Sequence, residues 1–174
     1  MTEQQKFSVK LPVELDQKYR RALATELIDY IIRRTKSGKN NKGAMFPKYS
    51  EGYVNSLDFK IAGKKRRPVN LTLSGDMLAS IKLLREKRDW FEIGLPAGDP
   101  DNGKAEGNQL GSYGDAPKRS RARPFLDFKG EEIKKRDKII KKYVNFQKNE
   151  ERLKAATLAL ILKKSKAAHG VVED

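Results

Sequence analysis

The stretch from Val69 to Leu95, VNLTLSGDMLASIKLLREKRDWFEIGL, constrains the fold more than any other part of the chain. Val69, Leu71 and Leu73 alternate with polar residues, and Ser74-Gly75-Asp76 breaks the run. Ile81 and Leu83, then Phe91, Ile93 and Leu95, alternate again on either side of Glu86-Lys87-Arg88-Asp89. Apolar residues at a period of two line one face of a strand, and a short charged link between two such runs marks a hairpin. Ser74 stands where a hydroxyl caps a short helix from Asp76 to Ser80, burying Met77 and Leu78 beneath the hairpin. The expected centre is a small antiparallel sheet with helices against one face.

The flanking segments extend this α+β pattern. Phe7, Val9 and Leu11 alternate with polar neighbours and predict a strand at the edge of the sheet. Pro12 fits the first turn of a long helix running to about Lys36, on which Leu15, Tyr19, Leu23, Leu27 and Ile31 form a stripe widened by Ile28 and Ile32. Arg20, Arg21, Arg33 and Arg34 take the remaining faces. SGKNNKG, residues 37–43, has the composition of a flexible connection and lacks the G-x-x-x-x-G-K-[ST] pattern of a phosphate loop. Tyr53, Leu57 and Ile61 predict a second short helix with Ser50 as its cap and Gly63 as its stop.

Composition removes several chemistries. The 174 residues contain no cysteine and one histidine, His169, so thiolate zinc sites, cysteine nucleophiles and histidine metal clusters have no residues to use. A Ser-His-Asp triad is disfavoured, because His169 lies in a small-residue tail that holds a base poorly. The N-terminus lacks the apolar core of a signal peptide, and no run approaches the roughly 20 apolar residues of a bilayer span. Folding in a cytoplasm is the expectation. Only 37% of residues are apolar, which favours one modest core, and the formal net charge of +15 draws polyanions or acidic proteins.

The basic residues gather in two places. Lys64-Lys65-Arg66-Arg67 precedes Pro68, and Arg119, Arg121 and Arg123 alternate in RSRARPFLDF, where Pro124 holds Arg123 extended. Both suit contact with phosphates or carboxylates. Phe125, Leu126 and Phe128 return the chain to the core. Residues 96–114, rich in Gly, Asp, Asn and Pro, read as a long surface excursion. Its Asp99, Asp101 and Asn102 fall short of a calcium loop, and a nuclease built on Asp99, Asp101 and Glu106 lacks rigid support.

Residues 131–168 have the composition of helix, with no proline or glycine between Gly130 and Gly170. Ile133, Ile140 and Val144 share one face, and Asn145 and Asn149 are expected to break the run. Leu153, Leu158, Leu160, Ile161 and Leu162 then make a more apolar second helix. Either it folds back on the sheet or a partner subunit covers it, with Leu153, Leu158, Ile161 and Leu162 at the interface. The expected organisation is a core of residues 1–128 and a helical extension of residues 129–174.

The order GAMFPKYS, Tyr53 to Ser56, VNLTLSGDMLASI, a hairpin ending IGL, AEGNQLG and RARPFL resembles the phage virion morphogenesis family of Mu-like tail-completion or neck proteins. The most specific pieces are Leu73 to Leu78, Gln109-Leu110-Gly111 and Ala122 to Leu126, and together the matching segments run from residue 7 to residue 128. Phe46 stands where members often carry Trp, and Gly107-Asn108 where a His precedes the Gln-x-Gly step. The resemblance implies an α+β structural subunit, without enzymatic activity or cofactor. It would join a homo-oligomeric ring, a hexamer, in the virion neck between head connector and tail, after assembly in the host cytoplasm. Its partners would be other neck, connector and tail-terminator proteins, with double-stranded DNA passing nearby. Lys64, Lys65, Arg66, Arg67, Arg119, Arg121 and Arg123 would then face a partner or the DNA channel, because phosphate contact needs no sequence reading. The competing reading of the same residues is a free-standing basic nucleic-acid-binding protein.

Overall fold

The computed structural model describes residues 3–71, 76–111 and 122–169, with side chains to residue 165. Three strands, β1 (Lys6–Lys10), β2 (Lys82–Lys87) and β3 (Trp90–Gly94), form an antiparallel sheet in the order β1-β3-β2. The fold is α+β, as the alternating runs predict. Phe91 and Ile93 of the central strand and Val9 of β1 are fully buried, while Glu92 on the other face of β3 meets Lys6 at 3.2 Å. The hairpin register pairs Lys87 with Trp90, so the link is the two residues Arg88 and Asp89, shorter than the four-residue connection expected. A bulge at Leu84 shifts the register of β2. Val69 and Leu71 are not in a strand; Leu73 and the Ser74 cap lie outside the described residues.

The long helix α1 (Gln17–Lys36) begins five residues after Pro12, later than the sequence predicts. The hairpin link explains the delay. Its Asp89 and Arg88 carbonyls accept the amides of Leu11 at 2.8 Å and Leu15 at 2.9 Å, which hold residues 11–15 to the hairpin and out of the helix. Leu23, Leu27 and Ile31 then bury against the sheet as their spacing requires.

Two short helices follow where one was expected. α2 (Glu51–Val54) is capped by Ser50, and α3 (Leu57–Ile61) by Ser56, each hydroxyl accepting an amide of its first turn. The second cap restarts the helix and rotates its faces. Val54 and Phe59 are buried, while Leu57 and Ile61 stand 70% and 76% exposed. SGKNNKG is hydrogen-bonded and not a loose connection: the Asn40 side chain accepts the amides of Lys42 and Ala44, and Asn41 bonds both Pro124 and Lys129.

α4 (Asp76–Ala79) buries Met77 and Leu78. Inside the expected surface excursion lies α5 (Asn102–Leu110), with Asn102, Ala105 and Gly107 buried. Asn102 secures it: its side chain accepts the Gln5 amide at 3.0 Å and donates to the Pro96 carbonyl at 2.7 Å.

α6 (Glu131–His169) is one helix; the expected break at Asn145 and Asn149 does not occur. It runs antiparallel along α1, with Glu132 at Arg34, Lys142 at Glu26 and Glu150 at Lys18. Its first half therefore belongs to the core, contributing Glu132, Ile140 and Val144.

Candidate interaction site

The two basic features that the sequence separates by more than fifty residues meet on one tyrosine. Gly63 ends α3 with φ +58°, a conformation natural to glycine, and the Lys64 amide donates to the Phe59 carbonyl. Lys64 is thereby turned back over Tyr49, its ammonium 5.3 Å from the ring centre and 5.9 Å from that of Tyr53. Arg123 reaches the same Tyr49 ring, its guanidinium 5.5 Å from the centre. Cations over an aromatic face are attracted by the ring's negative face.

Tyr49, Tyr53 and Phe59 support this arrangement as a mutually packed trio with centres 5.2 to 5.5 Å apart. The Tyr49 hydroxyl donates to the Asn70 carbonyl at 2.7 Å and accepts the Asn70 amide, which fixes the ring against the chain that follows the basic run. Arg123 is placed by α5: its amide donates to the Asn108 carbonyl at 2.6 Å, and the Phe125 amide donates to the Gln109 side chain at 2.8 Å. The Gln109 step and the RARPFL segment thus form one clamp. Arg123 also donates to the Lys48 carbonyl.

Burial and the neighbouring Arg123 charge both push the Lys64 ammonium below the ordinary lysine range. Of the other predicted contacts, Arg66 lies 3.8 Å from Glu51 at the surface, Lys65 and Arg67 are exposed, and Arg119 and Arg121 lie outside the described residues.

The second predicted site, the apolar end of α6, is not folded back on the sheet. Every residue from 151 to 165 is exposed, with Leu153 at 69%, Leu158 at 58%, Ile161 at 57% and Leu162 at 54%. Beyond Glu150 the helix extends roughly 30 Å at 1.5 Å per residue.

Two of the acids considered in the sequence are engaged at the start of α5. Asp101 is buried and bonded to Lys104 at 2.6 Å, while Asp99 accepts the Asp101 amide, so both serve the start of α5. Among the described residues no group of three or more His, Asp or Glu side chains is placed to hold a metal ion, and no helix is long and apolar enough to cross a membrane. Sequence reasoning missed the buried ionic cluster of Arg34, Glu132 and Tyr30, where the Tyr30 hydroxyl donates to Glu132 at 2.7 Å. Its only signal was the placement of Arg34 three residues after Ile31, at the edge of the apolar stripe.

No family model matches the chain, and comparison with curated proteins and with solved structures likewise found no match.

Proposed function

We propose that this chain is a structural subunit of a phage head-tail junction, a neck or tail-completion protein that forms a homo-oligomeric ring around the DNA channel and acts without catalysis. The observation that carries the reading is the exposed apolar end of α6, a rigid arm that leaves the body with its leucines unburied. Exposed apolar surface of this kind marks an interface. A subunit with an arm at one end and an accepting surface elsewhere makes the heterologous contacts that close into rings. The order of the resembling segments supplies the phage assignment. The cationic cluster on Tyr49 fits the role, since basic groups beside a DNA channel offset phosphate repulsion without reading sequence.

The test is assembly. Purified chain is mixed with tailless heads and with free tails of the encoding phage, and the particles are sedimented and imaged. Co-sedimentation with a ring at the neck is expected. Particles that join normally without the chain and never retain it would overturn the reading.

The pairing of Lys64 with Arg123 favours a second reading, a free-standing nucleic-acid-binding protein. Under it, duplex DNA binds with a steep salt dependence, and Lys64→Ala or Arg123→Ala each lowers the salt slope by about one. Absence of binding at low salt removes this reading.

A further inference from the structure

α1 packs on one face of the sheet, where Val9, Phe91 and Ile93 are buried. The strand register sets out what stands on the other face. Lys10, Trp90 and Lys87 form one row across the strands, and Lys6, Gly94 and Lys82 form another, so that no side chain separates Lys6 from Lys82. Ser8, Glu92 and Arg85 lie between these rows. The six side chains contributed by the two outer strands are all exposed, and none of the described helices covers them. Five cations thus share a flat face with one carboxylate, and Glu92 is already divided between Lys6 at 3.2 Å and Arg85 at 3.9 Å. Among the described residues no carboxylate pairs with Lys10, Lys82 or Lys87.

The chemistry of this face selects its partner. Protein interfaces are poor in lysine and centred on apolar side chains, whereas four of these five cations are lysines and Trp90 is the one large apolar side chain in the three rows. An anionic membrane surface calls for several apolar side chains that insert. DNA interfaces, by contrast, are polar and strongly positive. Unpaired bases need a series of open aromatic rings to stack on, and the Trp90 ring already has the Lys87 ammonium 5.6 Å from its centre. We infer that the open face of the sheet binds the phosphate backbone of duplex DNA without reading its sequence, with Lys10, Lys82 and Lys87 each answering a phosphate. The cation columns on β1 and β2 stand about 10 Å apart, and Lys6 and Lys10 lie about 14 Å apart along their strand. A duplex carries about eight phosphates over that length, more than the face has cations. The inference rests on the reading of the chain as a subunit beside a DNA channel and names the surface turned toward the DNA.

The chain's single tryptophan reports on this face directly. A short duplex is titrated into the full-length chain at a series of salt concentrations while Trp90 emission is followed. Emission is expected to change on binding, and Lys10→Gln with Lys82→Gln and Lys87→Gln to lower the salt slope by about three. Lys138→Gln with Lys141→Gln and Lys148→Gln removes the same charge from exposed positions of α6 and should leave the slope in place. An equal fall in both triple variants means that binding follows net charge alone and overturns the site. So does polyglutamate that binds as tightly as the duplex, or a slope lowered only by Lys64→Ala and Arg123→Ala, or no binding at low salt. A chain that enters the neck without binding duplex keeps the neck reading and removes this face; a chain that binds duplex through the face yet never enters particles keeps the face and removes the neck reading.

Discussion

Arg34 and Glu132 form an ion pair inside the protein, 3.3 Å apart, with side chains 2% and 1% exposed. The pair joins the last turns of α1 to the first turn of α6. Arg34 also donates to the carbonyls of Phe125 at 2.6 Å and Asp127 at 3.0 Å, so one guanidinium ties both helices to the RARPFL segment. Burial pulls the Glu132 carboxyl upward, but hydrogen bonds from Lys135, Tyr30 and Arg34 prevail and hold it below the ordinary range. Removing one partner leaves a buried charge unanswered. Glu132→Ala is expected to cost about 3–5 kcal/mol, read from the urea midpoint. Arg34→Met with Glu132→Leu should cost less than the sum of the single changes, because neither leaves a charge behind.

Gly94 of β3 lies opposite Lys6 of β1 in a close approach of the two strands. A Cβ there would meet the Gln5 carbonyl oxygen and lie 2.7 Å from the Lys6 Cα, both backbone atoms that cannot rotate away. Gly94→Ala therefore displaces the edge strand at a cost of about 1–3 kcal/mol. Thermal unfolding reads the loss, and hydrogen exchange should localise it to the β1 amides. An unchanged midpoint would mean that the strand pair yields without penalty.

The sheet was legible because alternation survives in a short sequence: Val9, Phe91 and Ile93 are buried where period two places them. The helical stripe of α1 was legible for the same reason. What the sequence hid are decisions made by hydrogen bonds between distant segments. Pro12 signals a helix start, but the hairpin carbonyls at Arg88 and Asp89 keep the chain out of the helix until Asp16. Ser56 looks like a helix-interior residue until its hydroxyl caps Phe59 and exposes Leu57 and Ile61. Arg34 reads as a solvent-facing cation because its partner Glu132 lies 98 residues away. The site shows the same division. The two basic runs were visible as composition, whereas their meeting on Tyr49 depends on the turn at Gly63 and the clamp of α5.

Acid should loosen the α1-α6 contact. Glu150 accepts hydrogen bonds from Lys18, Tyr19 and Lys154, which hold its carboxyl down at about 2, against an ordinary 4.5. A carboxylate favoured by the fold contributes stability above its unfolded pKa and loses that contribution as pH falls through the folded value. Glu26, lowered chiefly by its hydrogen bond from Lys142, acts in the same direction. Urea midpoints should therefore fall as pH drops from about 4.5 toward 2. Glu150→Gln should flatten that fall while leaving the Glu26 part in place. Identical pH profiles for the two proteins would sink the assignment.

The arm contributes little to the body that holds it. No residue from 151 to 165 is buried, and among the described residues the ion pair it sends back, Lys154 to Glu150 at 2.9 Å, lies at the surface. Exposed pairs of this kind are screened by solvent and add little. A chain ending at Glu150 should therefore unfold within about 0.5 kcal/mol of the full chain, while Leu23→Ala in the body costs about 2–5 kcal/mol. The leucines of the arm are thus kept for a reason other than the stability of the single chain. A loss above about 2 kcal/mol on truncation, on the scale of a core substitution, would mean that the arm packs against its own body in solution and is not held out for a neighbour.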